Sequence, residues 1–421
     1  MRNLWWMLFL YMVFPKVCLA QQHTVYDKLQ AFLKEKDYFR ARDFYTASQG
    51  MMSLREKLVI ESYLAHAFNQ PAASNKAITT FLDRFGKHTG DSLKLALLRL
   101  KLLNHVRLFE YANAFKVNGE IFADYGKLLA AEDSADYQNM AVIWKALAGS
   151  PKQLIHVKAN TAIKMRRDKA KLANLEVKAN GSVSDFIFDT GANFSTVSET
   201  TARVLGMKSL EGSLEVDAIT GAKVNSRLAL CPEFSIGNIT VRNVVFLVFP
   251  DSALAFPQIK YQINGIIGFP VIEGLKEIQL TRDDEFIVPK VRSNGDLHNM
   301  ALDFLTPIID LEGEYFTFDT GASGTMLYSK YLRKHFNDVV GKYAQTELQF
   351  GGAGGVLRKK GYKVTYRPLI NGRRLQINDV HLFSESLMEE KDCFYGNIGQ
   401  DVIKQFGRLT INFSSMFISL E

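Results

Sequence analysis

Two short stretches hold the residues best suited to chemistry. Phe186-Ile187-Phe188-Asp189-Thr190-Gly191-Ala192 returns as Phe316-Thr317-Phe318-Asp319-Thr320-Gly321-Ala322. In each, a strand with two phenylalanines on one face delivers an aspartate at its end. Thr-Gly then turns sharply, because glycine tolerates backbone angles that other residues avoid. If the two turns meet, two carboxylates share one site. Like charges at close range, with little water, cannot both ionise cheaply, so one pKa rises and one proton is shared. Such a pair suits general acid–base work on a water molecule. The ionised member takes a proton from water while the other protonates a carbonyl oxygen.

The elements that must position these turns are duplicated as well. A short helical pattern follows each turn, at Ser198–Leu205 and Tyr328–Lys334. Gly221, in Thr220-Gly221, stands as far past Asp189 as Gly351, which opens Gly351-Gly352-Ala353-Gly354-Gly355, stands past Asp319. Gly265–Ile272 and Gly396–Ile403 both read G-x-I-G-x-x-V-I. Their second glycines, Gly268 and Gly399, match in distance from their aspartates to within a single position. Phe286-Ile287 and Phe417-Ile418 follow those glycines at identical spacing. Chance does not supply so many coincident landmarks. They define two homologous lobes, 151–290 and 291–421. A glycine at 268 or 399 lets its segment pass close to the aspartate turn, and packing about a pseudo-twofold axis would bring the two turns together.

This paired pattern resembles a pepsin-type aspartic protease built from two retropepsin-like lobes, over residues 151–421. The resemblance implies an all-β, two-lobed fold that hydrolyses peptide bonds without metal, cofactor or covalent intermediate. It implies Asp189 and Asp319 as the catalytic pair, with the shared-proton pattern borrowed from those enzymes. Thr190, Gly191, Thr320 and Gly321 would support the site, the threonines cross-linking the turns. The hairpins at Thr220-Gly221 and Gly351-Gly352 would be flaps closing over a peptide or protein substrate. Two departures are visible. Ala192 and Ala322 stand where pepsin-like enzymes carry Ser or Thr, as in retroviral enzymes. Loss of a hydrogen bond to the ionised carboxylate raises its pKa, so an optimum nearer neutrality than pepsin's is expected. Neither flap has the tyrosine typical of one pepsin flap, and one is unusually rich in glycine. The alternative is a catalytically silent peptide-binding or scaffold protein that uses the same fold and the helical domain. The intact Asp and Thr pairs favour the enzyme. The duplication makes dimerisation unnecessary for catalysis, so a monomer suffices.

Ahead of the lobes, residues 21–150 read as helical. Apolar residues recur at spacings of three and four, as in Ile60, Leu64 and Ala67, and in Leu93, Leu97, Leu100 and Leu103. A faint period places Arg40-Ala41, Lys76-Ala77 and Asn113-Ala114 at nearly equal intervals. This resembles tetratricopeptide-type helix hairpins, which would offer a protein partner a surface. A plain helical prodomain or packing domain is the other reading.

Residues 1–20 read as a signal peptide. Arg2 precedes an unbroken apolar run from Leu4 to Phe14, and Cys18-Leu19-Ala20 supplies a small-residue cleavage site after Ala20. The run falls well short of the ~20 residues that span a bilayer; an uncleaved anchor is the other reading. Phe14-Pro15-Lys16-Val17 lacks the small residue expected before a lipidated cysteine. The expectation is an exported protein, periplasmic or secreted, with no integral membrane span after cleavage.

Composition narrows the remaining classes. At 421 residues the chain has room for about two or three domains. Loss of Arg2 and Lys16 lowers the formal charge from +7 by two, to +5. The densest basic cluster, Lys164–Lys169, has no interleaved aromatics and reads as a solvated face or linker, so no nucleic-acid partner is expected. The eight histidines show no metal-ligand spacing. There is no Gly-x-Ser-x-Gly elbow and no phosphate-binding glycine loop before a helix. Cys231 and Cys393 survive cleavage. They form one disulfide or remain two free thiols.

Overall fold

The computed structural model describes residues 25–217, 223–295, 297–352, 355–386 and 393–421. The expected signal peptide lies outside the described residues. The chain divides into two compact units, one ending at Asn104 and one running from His105 to Glu421.

The first unit is helical, as its apolar spacing predicts. Helix α1 covers 25–34, and α2 (Tyr38–Ser48), α3 (Leu54–Ala67), α4 (Pro71–Phe85) and α5 (Asp91–Arg107) follow. The starts are encoded locally. Ser53 caps α3 in a capping box, its hydroxyl accepting from Glu56 N while the Glu56 carboxylate accepts from Ser53 N at 2.8 Å. Pro71 opens α4, where its missing N–H costs nothing. Lys36 and Asn69 adopt left-handed backbone between successive helices. Ala41 in α2 and Ala77 in α4, the small residues of the faint period, are both buried. A buried polar chain ties α3, α4 and α5. Asn104 donates to Ser74 Oγ at 2.8 Å, Ser74 Oγ donates to Ser62 O at 2.6 Å, and Asn104 Oδ1 lies 2.7 Å from His66 Nδ1. Among the described residues no helix is long and apolar enough to cross a membrane.

The second unit begins with α6 (Tyr111–Tyr125) and α7 (Ala131–Leu147), and strands start at Leu154. Ala114 is buried in α6. From Ala173 the chain builds a barrel. Strand Ser182–Phe188 pairs with Ala173–Ala179 across a tight turn in which Asn180 and Gly181 both have positive φ, as Asn-Gly predicts. Ser182–Phe188 also runs parallel to Gly265–Ile267, which pairs with Ser195–Ser198 and through it with Ile239–Phe249. The last strand pairs with Lys223–Ile236, which returns to Ala173–Ala179 and closes the ring. A second sheet, Met300 to Ile398, repeats the central register. Phe316 pairs with Gly396 and Phe318 with Ile398, as Phe186 pairs with Gly265 and Phe188 with Ile267.

A five-stranded antiparallel sheet joins the two halves, in the order Thr161–Lys164, Glu285–Val288, Glu277–Thr281, Arg408–Asn412, Phe417–Leu420. Its centre pairs Glu277–Thr281 with Arg408–Asn412. The repeated Phe-Ile strands at 286 and 417 flank that centre on opposite sides. Phe186, Phe188, Phe316 and Phe318 have no exposed surface. Phe188 packs edge-on against Phe286 at 5.3 Å, which links the aspartate strand to the joining sheet. Burial of each such ring contributes about 2–3 kcal/mol, so the strands that carry the aspartates are anchored from below.

Cys231 and Cys393 are both free. Burial pushes the Cys231 thiol up to about 11. The basic cluster keeps Lys164, Arg166 and Lys169 exposed, as a solvated face does, with Arg167 half-buried. Thr161–Lys164 is an edge strand of the joining sheet, Arg166 pairs with Asp185 and Glu176, and Arg167 pairs with Asp284. Glu176 and Asp185 lie on the next two strands, while Asp284 lies in a turn far along the chain, a partner that charge counting cannot reveal.

Candidate active site

Each aspartate leaves its strand with its backbone still held. Asp189 N donates to Ile267 O at 3.1 Å and Asp319 N donates to Ile398 O at 3.0 Å. The turns then fold onto the G-x-I-G segments. Ala192 O accepts from Phe269 N at 2.8 Å, and Ala322 O accepts from Gln400 N at 2.9 Å. A Cβ on Gly268 would lie 2.5 Å from the Phe194 backbone, and one on Gly399 2.6 Å from the Gly324 backbone. Only glycine fits either place. Ser195 and Thr325 complete the match, their hydroxyls accepting from Gly268 N and Gly399 N at 3.1 Å each.

The two turns meet. Thr190 N donates to Thr320 Oγ1 at 3.0 Å, and Thr320 N donates to Thr190 Oγ1 at 3.0 Å. Each hydroxyl also donates to the carbonyl before the opposite aspartate: Thr190 to Phe318 O at 2.9 Å, Thr320 to Phe188 O at 3.0 Å. Both threonines are buried. A Cβ on Gly191 would fall 2.7 Å from Asp319 Cγ, and one on Gly321 would fall closer still to Asp189 Cγ. Each glycine is thus the floor under the opposite carboxyl group.

The carboxyl groups of Asp189 and Asp319 stand over each other's glycines and act on each other directly. Asp189 Oδ1 accepts from Gly191 N at 2.8 Å, while Asp319 Oδ1 accepts from Gly321 N at 2.8 Å and Ala322 N at 3.1 Å. Burial holds the Asp189 carboxyl well above its ordinary 3.8, and the charge and hydrogen bond of Asp319 push it further in the same direction. The backbone donors from Gly191 and Ala192 oppose this without reversing it.

Both aspartates line a cleft of about 1010 Å³. One wall is apolar, with Ile187, Leu214, Leu228, Leu247, Phe249 and Ile266. The other carries Ser323, Thr325, Asn378, Asp379, His381 and Asp401. Of the expected flap residues, Gly351 and Gly352 pair with Val356 and Gly355 at the far end of the hairpin Gln345–Gly352/Gly355–Tyr366, and Gln349 of that hairpin reaches the cleft. Thr220 and Gly221 lie outside the described residues. The strands before and after them, Lys208–Asp217 and Lys223–Ile236, pair as a hairpin, and Leu214 and Val224 line the cleft.

Sequence reading missed several supports. Gln400 Nε2 donates to Thr320 O at 2.8 Å, and Arg167 bridges Gln400 Oε1 at 3.2 Å to Asp284. Asp401 accepts from Thr325 N and Oγ1 at 2.8 and 2.6 Å. A signal was available for Gln400 and Asp401, since they follow the repeated glycine where the first copy has Phe269-Pro270, and that polar difference marks an asymmetry. Helix α7 gave no signal at all, yet Asn139 and Ile143 line the cleft.

Residues 175–271 match the family model described as aspartyl protease. The matched segment holds Asp189 and Gly268, and it supports an aspartic-protease-like fold and hydrolase chemistry of that type. Among solved structures the chain is similar to a retropepsin-like aspartic protease from Rickettsia conorii, at 16% identity over 33% of this chain and 94% of that one, with a TM-score of 0.22. Comparison with curated proteins returned no match.

Proposed function

We propose that this chain is an exported aspartic endopeptidase that hydrolyses peptide bonds with a water activated by Asp189 and Asp319. The observation that carries the reading is the reciprocal packing of Thr190-Gly191 against Thr320-Gly321, which turns both carboxyl groups toward one cleft. The recurrence of one register around each aspartate strand supports a pseudo-twofold pair of lobes, 151–290 and 291–421. Asp189, whose carboxyl is raised by burial and by Asp319, protonates the substrate carbonyl oxygen. Asp319 takes the proton from the attacking water, and the tetrahedral diol then collapses with proton return to the leaving amine. The Gly351-Gly352 and Thr220-Gly221 hairpins act as flaps over the substrate. Residues 1–20 direct export and are removed. Helices with buried alanines at 41, 77 and 114 support tetratricopeptide-like hairpins that receive a protein partner.

The test incubates the protein lacking residues 1–20 with a diverse peptide library across pH, with and without a statine-type inhibitor. Cleavage that the inhibitor blocks and that Asp189→Asn abolishes is the expected result. Peptide binding without cleavage at any pH would leave a silent binding protein.

A further inference from the structure

Helix α7 ends shortly before the first strand, and its two faces meet different partners. Tyr137 and Trp144 are buried. Trp144 stacks on Tyr111 at 6.2 Å on one side and meets Phe194 at 6.5 Å on the other. Phe194 belongs to the loop that leaves Asp189 and itself lines the cleft. The remaining contacts go to the strand Lys208–Asp217. Asn139 Nδ2 donates to Glu215 O at 2.6 Å. Val142 crowds Gly212, where an added Cβ would lie 3.1 Å from Val142 Cγ1 and where φ is +113°. The helix is therefore tied to both the aspartate loop and the hairpin beside it.

One turn apart on α7, Asn139 and Ile143 are partly exposed, and both line the same cleft as the aspartates. Leu214 of the braced strand and Phe194 of the aspartate loop line it with them. An aliphatic side chain set among Leu and Phe has no polar work to do there. It offers an apolar surface to whatever enters.

We propose that α7 is a third wall of the substrate cleft, and that Ile143, with Leu214 and Phe194, forms a subsite for an apolar substrate side chain. The inference rests on the peptide-cleaving reading, but its own content is recognition. A helix outside both aspartate-bearing lobes then sets specificity. Filling the subsite discriminates by size, and pocket contacts of this kind are worth about 10–200-fold.

The test compares Ile143→Trp with the wild type on peptides that vary one position at a time between Ala, Leu and Phe. It is run twice: as kcat/KM, and as equilibrium binding to Asp189→Asn chains that do not turn over. Lys145→Ala, on the exposed side of α7, is the control. The expected result is a loss of about 10-fold or more for Leu and Phe over Ala at one peptide position, in both readouts, with the control unchanged. Size preference that Ile143→Trp leaves unaltered at every position overturns the subsite, as does failure of any peptide to bind. A shifted binding preference in a chain that never cleaves would uphold the subsite and sink the hydrolase.

Discussion

Thr190 and Thr320 each accept a hydrogen bond from the other's backbone N–H, both at 3.0 Å, and neither has exposed surface to spare. Each hydroxyl is also the donor to a strand carbonyl beside the opposite aspartate. Removing one hydroxyl orphans a buried N–H and a buried C=O, at about 1–3 kcal/mol per group. Thr320→Ala should lose about 2–6 kcal/mol in urea unfolding and most of its activity. Thr320→Ser keeps both bonds and should recover the larger part of each. Equal stability of the Ala and Ser variants would mean that the cross-link does not hold the turns.

Asp189 and Asp319 differ from other carboxylates in facing each other over glycines. Acid–base catalysis by positioned groups contributes about 10²–10⁴-fold, and a shared proton makes the two roles inseparable. Asp189→Asn and Asp319→Asn should each lower kcat by about 10³-fold or more, with circular dichroism unchanged. Residual activity within about 10-fold of wild type in either variant would remove that residue from the chemistry.

The same substitution has a pH signature in stability. Burial and Asp319 raise the Asp189 carboxyl, so its stabilising contribution is complete in acid and is lost as pH climbs through its raised value. Asparagine has no such titration. Asp189→Asn should therefore gain on the wild type as pH rises above about 3.8, by at most about 1.4 kcal/mol for each pH unit in that window. Denaturant midpoints of the two proteins from about pH 3 to 7 give the slope. A difference that stays flat, or that shrinks with rising pH, would contradict a raised Asp189.

How much of this was legible follows from what each feature depends on. The aspartate turns, the Phe alternation and the glycines at 268 and 399 are local demands that recur in both copies, so the duplication exposed them. The hairpin turn at Asn180-Gly181 is a local demand of another kind, since positive φ at both positions restricts residue choice. The Arg167–Gln400–Thr320 chain joins residues far apart along the sequence, and nothing in either copy predicts its partner. The α7 wall was hidden differently. A cleft-lining Ile143 reads as one more apolar residue at helical spacing, indistinguishable from the core residue Trp144 beside it.

Ala192 and Ala322 offer a way to move the pH profile without touching the aspartates. A serine hydroxyl at 192 can donate to the Asp189 carboxylate, and a hydrogen bond to the ionised form favours ionisation. Asp189 is pushed upward mainly by burial and by Asp319; a new donor opposes both. Ala192→Ser should move the limb of kcat/KM that reports Asp189 to lower pH and bring the optimum toward acid, while the fold stays intact because the added group is one oxygen at the cleft edge. The profile measured for wild type, Ala192→Ser and the similarly sized Ala192→Cys separates the donor from its bulk. Serine alone should shift the limb strongly, since a thiol is a weak donor. If both variants move it equally, size and not hydrogen bonding sets the titration, and the alanines lose their part in placing the optimum near neutrality.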